Sequence, residues 1–223
     1  MRAVRNCTAA FSFAFAAFSA PLAAEPLTLV ALGDSLTQGY GLPQAEGFVP
    51  QLQAWLTAQG ADVVVVNAGV SGDTTAGGKA RLDWTLTPDV DAMIVALGGN
   101  DLLRAIDPAN SRANLTAIME GAKARGLPVL LIGMSAPGNY GPDYKRDFDA
   151  IYPDLARDYD ALLAESFFAP LLEEGTYAES LASYMQPDGI HPNAAGVARI
   201  VEGLGPQVLE LLARAAGGAG AGG

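Results

Sequence analysis

The chain is poor in cysteine and histidine, with one of each among its 223 residues. The cysteine, Cys7, lies in an N-terminal segment that we expect to be removed. The remaining chain can then form neither a disulfide nor a thiolate site. The fold must rest on its hydrophobic core, and the 50% of residues that are hydrophobic are ample for one domain of this length.

Positive charge is also scarce, since 13 Lys and Arg stand against 24 Asp and Glu and give a net charge of −11. So acidic a chain is a poor partner for nucleic acid and for anionic lipid surfaces. The phosphate-binding loop and the dinucleotide-binding glycine fingerprint are absent, because no glycine-rich stretch after a strand has the required spacing. We expect no nucleic acid partner.

Residues 1–24 have the pattern of a secretory signal peptide. Arg2 and Arg5 precede an uncharged run over residues 7–20, and small residues follow to Ala24. The run is short for a membrane span, which takes about 20 apolar residues, so an uncleaved anchor is the less favoured alternative. We predict cleavage after Ala24, which removes Arg2 and Arg5 and changes the net charge from −11 to −13. We also predict export to the periplasm or beyond, without a stable membrane anchor. We expect the exported protein to be a monomer.

Apolar, strand-like runs alternate with helical patterns along the rest of the chain, which indicates an α/β fold with a parallel sheet covered by helices on both faces. The predicted strands are residues 27–32, 63–66, 92–97, 129–134 and 162–168, and the valine run at 63–66 is expected to be buried on both faces. The predicted helices are residues 48–59, 75–86, 108–125, 144–159 (divided or kinked by Pro153) and 191–215. Residues 175–189 are predicted to be mostly loop, and residues 216–223 a disordered tail.

Polar turns follow the first three predicted strands. They are Gly33-Asp34-Ser35, Ser71-Gly72-Asp73 and Gly99-Asn100-Asp101. Because the carboxyl ends of parallel strands meet at one edge of a sheet, we expect these turns to lie side by side there.

A serine in a turn is usually structural, because serine favours turns for backbone reasons. To act as a nucleophile, Ser35 needs an adjacent base, most often an imidazole. The single histidine, His191, is the only imidazole available, and Asp188 precedes it by three residues. That spacing, bent at Gly189, lets the carboxylate reach Nδ1–H of the imidazole and fix its tautomer.

Acyl transfer also requires donors for the negative charge that develops on the carbonyl oxygen. Three lie at the predicted edge: the backbone N–H of Ser35, the backbone N–H of Gly72 and the side-chain amide of Asn100. Each residue also has an ordinary role in a turn. Together with Asp188 and His191 they predict a Ser-His-Asp triad with an oxyanion hole.

These residues resemble the four sequence blocks of the SGNH, or GDSL, hydrolase superfamily, which occur here in order. The blocks are Gly33-Asp34-Ser35-Leu36, Gly72 within Ser71-Gly72-Asp73-Thr74, Gly99-Asn100-Asp101, and Asp188-Gly189-Ile190-His191-Pro192. The surrounding sequence is similar to bacterial periplasmic multifunctional esterases that act as acyl-thioesterase, arylesterase and lysophospholipase. The resemblance runs from about residue 27 to residue 212.

The resemblance implies a flavodoxin-like, three-layer fold with five parallel strands in a hydrolase domain at residues 25–215. It implies Ser35 as nucleophile, His191 as base, Asp188 as its partner, and Ser35, Gly72 and Asn100 as the oxyanion hole. It implies no metal and no organic cofactor. The expected substrates are aryl esters and esters of short to medium acyl chains, with acyl-thioesters and lysophospholipids in addition.

Several alternatives stay open at this point. The same site could serve a carbohydrate acetyl esterase. In a different class, Asp34, Asp73 and Asp101 could hold Mg²⁺ for a phosphohydrolase, because oxygen ligands suit that ion. A non-catalytic binding module would require a damaged site, and the α/β-hydrolase fold is disfavoured because the Gly-x-Ser-x-Gly elbow is missing.

Apolar residues that follow the catalytic turns are candidates for the wall of a substrate groove. They are Leu36, Leu102, Leu103, Ile106, Met134, Pro137 and Tyr140. An ordinary role in the core or at a helix start is an equally good interpretation for each of them.

Overall fold

Five parallel strands form one sheet in the order β2-β1-β3-β4-β5, in a computed structural model that describes residues 25–172 and 177–219. The strands are β1 (Leu27–Gly33), β2 (Val63–Gly69), β3 (Ala92–Ala96), β4 (Val129–Ile132) and β5 (Leu162–Ala164). The five predicted strands are therefore confirmed. β2 runs three residues further than predicted, whereas β4 and β5 end earlier.

Helices cover both faces of this sheet. Because alternate residues of a strand point to opposite sides, β1 contributes side chains to both of the resulting cores. Leu29 and Ala31 of β1 belong to the core that also contains residues of the helices Phe48–Ala58 and Ala194–Ala219. Val30 and Leu32 belong to the core that contains residues of the helices Pro108–Ala124 and Ile151–Asp158. The ten helices of the described residues are α1 (Ser35–Gln38), α2 (Phe48–Ala58), α3 (Thr75–Ala80), α4 (Leu82–Thr85), α5 (Gly99–Leu103), α6 (Pro108–Ala124), α7 (Pro142–Asp149), α8 (Ile151–Asp158), α9 (Tyr177–Tyr184) and α10 (Ala194–Ala219).

The prediction that the valine run is buried on both faces is wrong. β2 lies at the edge of the sheet, and its residues Val64 and Val66 are exposed. The outer backbone of β2 is partly closed by the Gln53 side chain, whose Oε1 accepts from the N–H of Val65 at 2.8 Å and whose Nε2 donates to the Val63 carbonyl at 2.9 Å. Such pairing blunts an edge that could otherwise bind another strand.

Two helices predicted as continuous are interrupted. The first, predicted at 75–86, breaks at Arg81 between α3 and α4, where φ is −109° and ψ is 9°. The second, predicted at 144–159, breaks at Ala150, which confirms that Pro153 divides it. A proline ring clashes with the carbonyl four residues earlier, so the helix before it ends at Asp149.

The C-terminal region differs most from prediction. Residues 175–189, predicted as mostly loop, contain α9. The last helix begins after Asn193, whose Oδ1 accepts the Gly196 N–H at 2.9 Å and caps it, so His191 precedes the helix. Residues 216–219 of the predicted tail are helical. Residues 220–223 and the predicted signal peptide, residues 1–24, lie outside the described residues.

Candidate active site

Ser35 lies directly after β1, at the first position of α1. The Asp34 carboxylate caps this helix, because its Oδ1 accepts the N–H of Leu36 at 3.0 Å. A Cβ at Gly33 would collide with Thr37, so the strand can meet the helix this closely only through glycine. The predicted turn is confirmed, and it puts Ser35 at the carboxyl edge of the sheet.

The structure brings Ser35, His191 and Asp188 into one hydrogen-bonded chain. Nε2 of His191 lies 2.9 Å from Oγ of Ser35, and Nδ1 lies 2.7 Å from Oδ2 of Asp188. With the proton on Nδ1, the imidazole donates to Asp188 and is free to accept from the serine hydroxyl. This is the relation that activates a serine as a nucleophile.

The loop that carries the imidazole is held by its own carboxylate. Oδ1 of Asp188 accepts the backbone N–H of Ile190 at 2.9 Å and that of His191 at 3.0 Å, and Gly189 takes the left-handed conformation with φ of +66°. The hydrogen bond from the His191 ring, followed by these two backbone donors, lowers the pKa of Asp188 to about 2. The Asp188 carboxyl is therefore ionised in the folded protein at neutral pH.

Gly72 and Asn100 lie beside Ser35 on the wall of the same cavity. Gly72 occupies a turn closed by the Asp73 N–H to the Val70 carbonyl at 3.1 Å, and its φ of +84° favours glycine. A Cβ there would meet nothing nearer than Arg104 at 3.7 Å, so the position is open towards a substrate. Nδ2 of Asn100 donates to Oδ2 of Asp34 at 3.4 Å, which leaves its second N–H for another acceptor.

Asp34 is the buried carboxylate of the site, with 2% of its surface exposed. Burial raises its pKa to about 6, against the opposing effects of the hydrogen bonds from Leu36 and Asn100 and of the charge on His191. The carboxyl links two parts of the site, since it caps the helix of Ser35 and contacts the amide of Asn100.

The three aspartates of the magnesium alternative serve separate structural contacts. Asp101 is fully buried and accepts from Thr75 N (2.8 Å), Thr75 Oγ1 (2.6 Å) and Ser111 Oγ (2.8 Å). Asp73 pairs with Arg81, and Asp34 caps α1. Within the described residues no three His, Cys, Asp or Glu side chains are grouped to hold a metal ion. The aspartates therefore do not form the predicted alternative site.

A cavity of about 740 Å³ opens over Ser35 and is lined mainly by apolar side chains. Six of the seven residues predicted as candidates for its wall line it, and they are Leu36, Leu102, Leu103, Met134, Pro137 and Tyr140. Ile106 does not line it, and its carbonyl accepts from the Tyr144 hydroxyl at 2.9 Å instead.

Five further apolar residues of the cavity wall were not predicted from the sequence, and they are Phe168, Leu171, Leu172, Met185 and Ile190. The first four lie between β5 and Asp188, where no polar motif marks a site. Ile190 lies inside the predicted Asp188–Pro192 block but was not predicted to line the cavity. Tyr40 was also missed as a site residue, although its ring centroid lies 4.6 Å from that of His191; its position just after the Ser35 turn was the available signal.

Comparisons with known proteins identify the family to which the chain is similar. The sequence profile of the GDSL-like Lipase/Acylhydrolase family matches residues 31–199. The esterase TesA of Pseudomonas aeruginosa is 40% identical over 186 residues, which cover 83% of this chain and 89% of the relative. Thioesterase 1/protease 1/lysophospholipase L1 of Escherichia coli K12 is 36% identical over 192 residues, which cover 85% of this chain and 87% of the relative.

A solved structure shows the same architecture. The psychrotrophic esterase EstA from Pseudoalteromonas, inhibited by monoethylphosphonate, superposes with a TM-score of 0.74 at 31% identity, covering 83% of this chain and 98% of that one. The predicted five-stranded α/β fold and the predicted resemblance are thus confirmed. Because the profile spans most of the chain and both relatives exceed 30% identity, the chain belongs to the GDSL-like lipase/acylhydrolase family.

Proposed function

We propose that the protein is a serine esterase that cleaves carboxylic ester and thioester bonds by acyl transfer to Ser35. The observation that carries the proposal is the continuous chain from Ser35 Oγ through His191 to Asp188, with distances of 2.9 and 2.7 Å. The names of the relatives, an esterase and a thioesterase/lysophospholipase, support the same reaction class.

The reaction begins when Ser35 Oγ attacks the carbonyl carbon and its proton passes to Nε2 of His191. Asp188 stabilises the imidazolium that forms. When the tetrahedral intermediate collapses, the bond to the leaving oxygen or sulfur breaks, and that atom takes the proton from His191. Water then attacks the acyl-Ser35 ester, again with His191 as base, and releases the carboxylic acid and the free serine.

We assign the oxyanion hole to the N–H of Ser35, the N–H of Gly72 and the side-chain amide of Asn100. The open space at Gly72 and the hydrogen bond that orients Asn100 against Asp34 support this assignment. Donors fixed in advance stabilise the developing charge without reorganising during the reaction.

The cavity favours apolar acyl or aryl groups. Among the described residues that line it, His191 and the buried Asp34 are the only ones of the Asp, Glu, His, Lys and Arg types, and most of the lining surface is apolar. We propose aryl esters and esters of short to medium acyl chains as substrates, with acyl-thioesters and lysophospholipids in addition. Leu36, Leu102, Met134, Pro137 and Tyr140 would contact the bound group.

We further propose that the enzyme is exported, that residues 1–24 are its signal peptide and that it acts as a monomer. The N-terminal charge and apolar pattern support export. Among the helices of residues 25–172 and 177–219, none has the length and apolar character needed to cross a membrane.

Ser35→Ala tests the proposal in a substrate series of p-nitrophenyl esters of increasing chain length, an acyl-thioester, a lysophospholipid and acetylated xylan. We expect kcat to fall by about 10⁴–10⁶ on every substrate that the wild type cleaves. Ser183→Ala, an exposed serine outside the cavity wall, is the control and should change kcat less than threefold.

The series also separates the candidate substrates. Hydrolysis of medium-chain esters well above that of acetylated xylan supports the apolar assignment, and the reverse order supports a carbohydrate acetyl esterase. Near-normal turnover by Ser35→Ala would falsify the proposed mechanism.

A further inference from the structure

Arg81 occupies the break between α3 and α4 and reaches from there to two of the turns that build the site. Its Nε donates to Oδ2 of Asp73 at 2.7 Å, and its Nη2 donates to the carbonyl of Gly33 at 2.8 Å. The sequence predicts a continuous helix over residues 75–86. The structure interrupts it at Arg81, the residue that makes both contacts.

The two acceptors of Arg81 belong to the two turns that supply the nucleophile and an oxyanion donor. Gly33 ends β1 two residues before Ser35, and Asp73 directly follows Gly72. The Gly33 carbonyl also accepts the N–H of Val70 at 3.1 Å. The guanidinium therefore joins the end of the nucleophile strand to the turn that presents the Gly72 N–H.

Burial makes this bridge stiffer than an ordinary surface pair. The side chains of Arg81 and Asp73 are 22% and 18% exposed, whereas those of Arg125 and Asp83 are 38% and 93% exposed. Water screens the exposed pair and competes for its hydrogen bonds. The planar guanidinium fork of Arg81 holds the Asp73 carboxylate and the Gly33 carbonyl in one fixed geometry, whereas the three donors of a lysine ammonium lie at the end of a flexible stem without that fixed geometry.

The geometry points to Arg81 as a positioning residue that sets the Gly72 N–H against Ser35; the inference rests on the proposed function. An oxyanion donor works over a narrow range, since it must come to about 2.7–3.1 Å of the charged oxygen. The Gly72 turn is also held by its own backbone closure, by the Val70 N–H to the Gly33 carbonyl and by the Ser71 hydroxyl, which donates to Oε1 of Gln38 at 2.9 Å. The exposed Arg104 adds a hydrogen bond from Nη2 to the Gly72 carbonyl at 2.9 Å. Releasing Asp73 from Arg81 removes the ionic contact on the residue that directly follows Gly72 and breaks its link through Arg81 to Gly33.

The test compares Arg81→Met and Arg81→Lys with the control Arg125→Met, in the full-length enzyme. For Arg81→Met we expect kcat on a p-nitrophenyl ester to fall about 10–100-fold with KM within threefold of wild type, because the ground-state carbonyl gains little from the donor. Arg81→Lys should fall between Arg81→Met and wild type. Arg125→Met should leave both constants unchanged.

A second readout separates positioning from a structural role. Phenylboronic acid adds to a serine hydroxyl as an anionic tetrahedral boronate, one oxygen of which occupies the oxyanion position. Its Ki should therefore rise by the same factor by which kcat falls. A folded Arg81→Met enzyme with normal kcat overturns the inference, and so does a fall in kcat with an unchanged Ki. If Arg81→Met does not fold, the same two outcomes are read from Arg81→Lys. Failure of the proposed function is distinct, because Ser35→Ala would then keep its activity.

Discussion

The candidate site consists of two halves that are built in different ways. The strand-end half comprises Ser35, Gly72 and Asn100, on turns that follow β1, β2 and β3, and it is supported by the buried Asp34. The histidine loop comprises residues 188–191, precedes α10 and follows no strand of the sheet. Its Asp188 side chain is 38% exposed, whereas Asp34 is 2% exposed.

The two carboxylates show what this difference does to charge. Asp34 receives few donors for its degree of burial, and its pKa is raised to about 6. Asp188 accepts from the His191 ring and from two backbone N–H groups, and its pKa is lowered to about 2. Asp188 therefore stays ionised beside the imidazole at neutral pH, whereas the charge of Asp34, beside Asn100, changes near pH 6.

The largest expected effect is the loss of kcat when a side chain of the histidine loop is replaced. His191→Ala should lower kcat by about 10⁴–10⁶, because no other imidazole exists in the chain to accept the Ser35 proton. Asp188→Asn should cost less, since it removes the stabilising charge and leaves the base in place. Single-turnover measurements on a p-nitrophenyl ester check both values. An Asp188→Asn variant that loses more activity than His191→Ala contradicts the assigned roles.

A smaller effect is expected in the strand-end half, where Asp34 should make the free energy of unfolding depend on pH. The folded-state pKa of Asp34, about 6, lies above its ordinary value of 3.8, so the folded protein favours the protonated carboxyl. Its contribution to the free energy of unfolding is complete below pH 3.8 and is lost as pH rises through 6, a change on the order of 3 kcal/mol. Asp34→Asn cannot ionise and should lack this loss.

Urea unfolding of wild type and Asp34→Asn at several values between pH 4 and pH 7 measures this effect. The difference in free energy of unfolding between the two proteins should shift in favour of the variant as pH rises. If the difference stays constant over this range, the pKa of Asp34 is the same in the folded and the unfolded protein. That result would contradict the raised pKa of the folded state.

The strand-end half was predictable because its signals are local. The apolar runs before Gly33 and Gly99 mark strands, and the polar residues after them mark turns at one edge of the sheet. His191 needed no choice among candidates. The alternation of strands and helices already implies a parallel sheet, and a parallel sheet puts the turns after its strands at one edge.

The remaining features depend on contacts between distant segments. The valine run of β2 reads as a doubly buried strand, and only the strand order puts it at an edge. Arg81 interrupts a helix while bonding to Gly33, 48 residues earlier, which no local propensity reports. The wall of the cavity around Phe168 and Met185 is apolar without periodicity or polar markers.

The most direct test of Ser35 as the nucleophile is the intact mass of the enzyme after treatment with an organophosphonate, combined with peptide mapping and residual activity. We expect one phosphonyl group per chain, located on Ser35, and loss of esterase activity in proportion to labelling, with no labelling of Ser35→Ala. A label on a different residue, or full activity in a completely labelled enzyme, would contradict it.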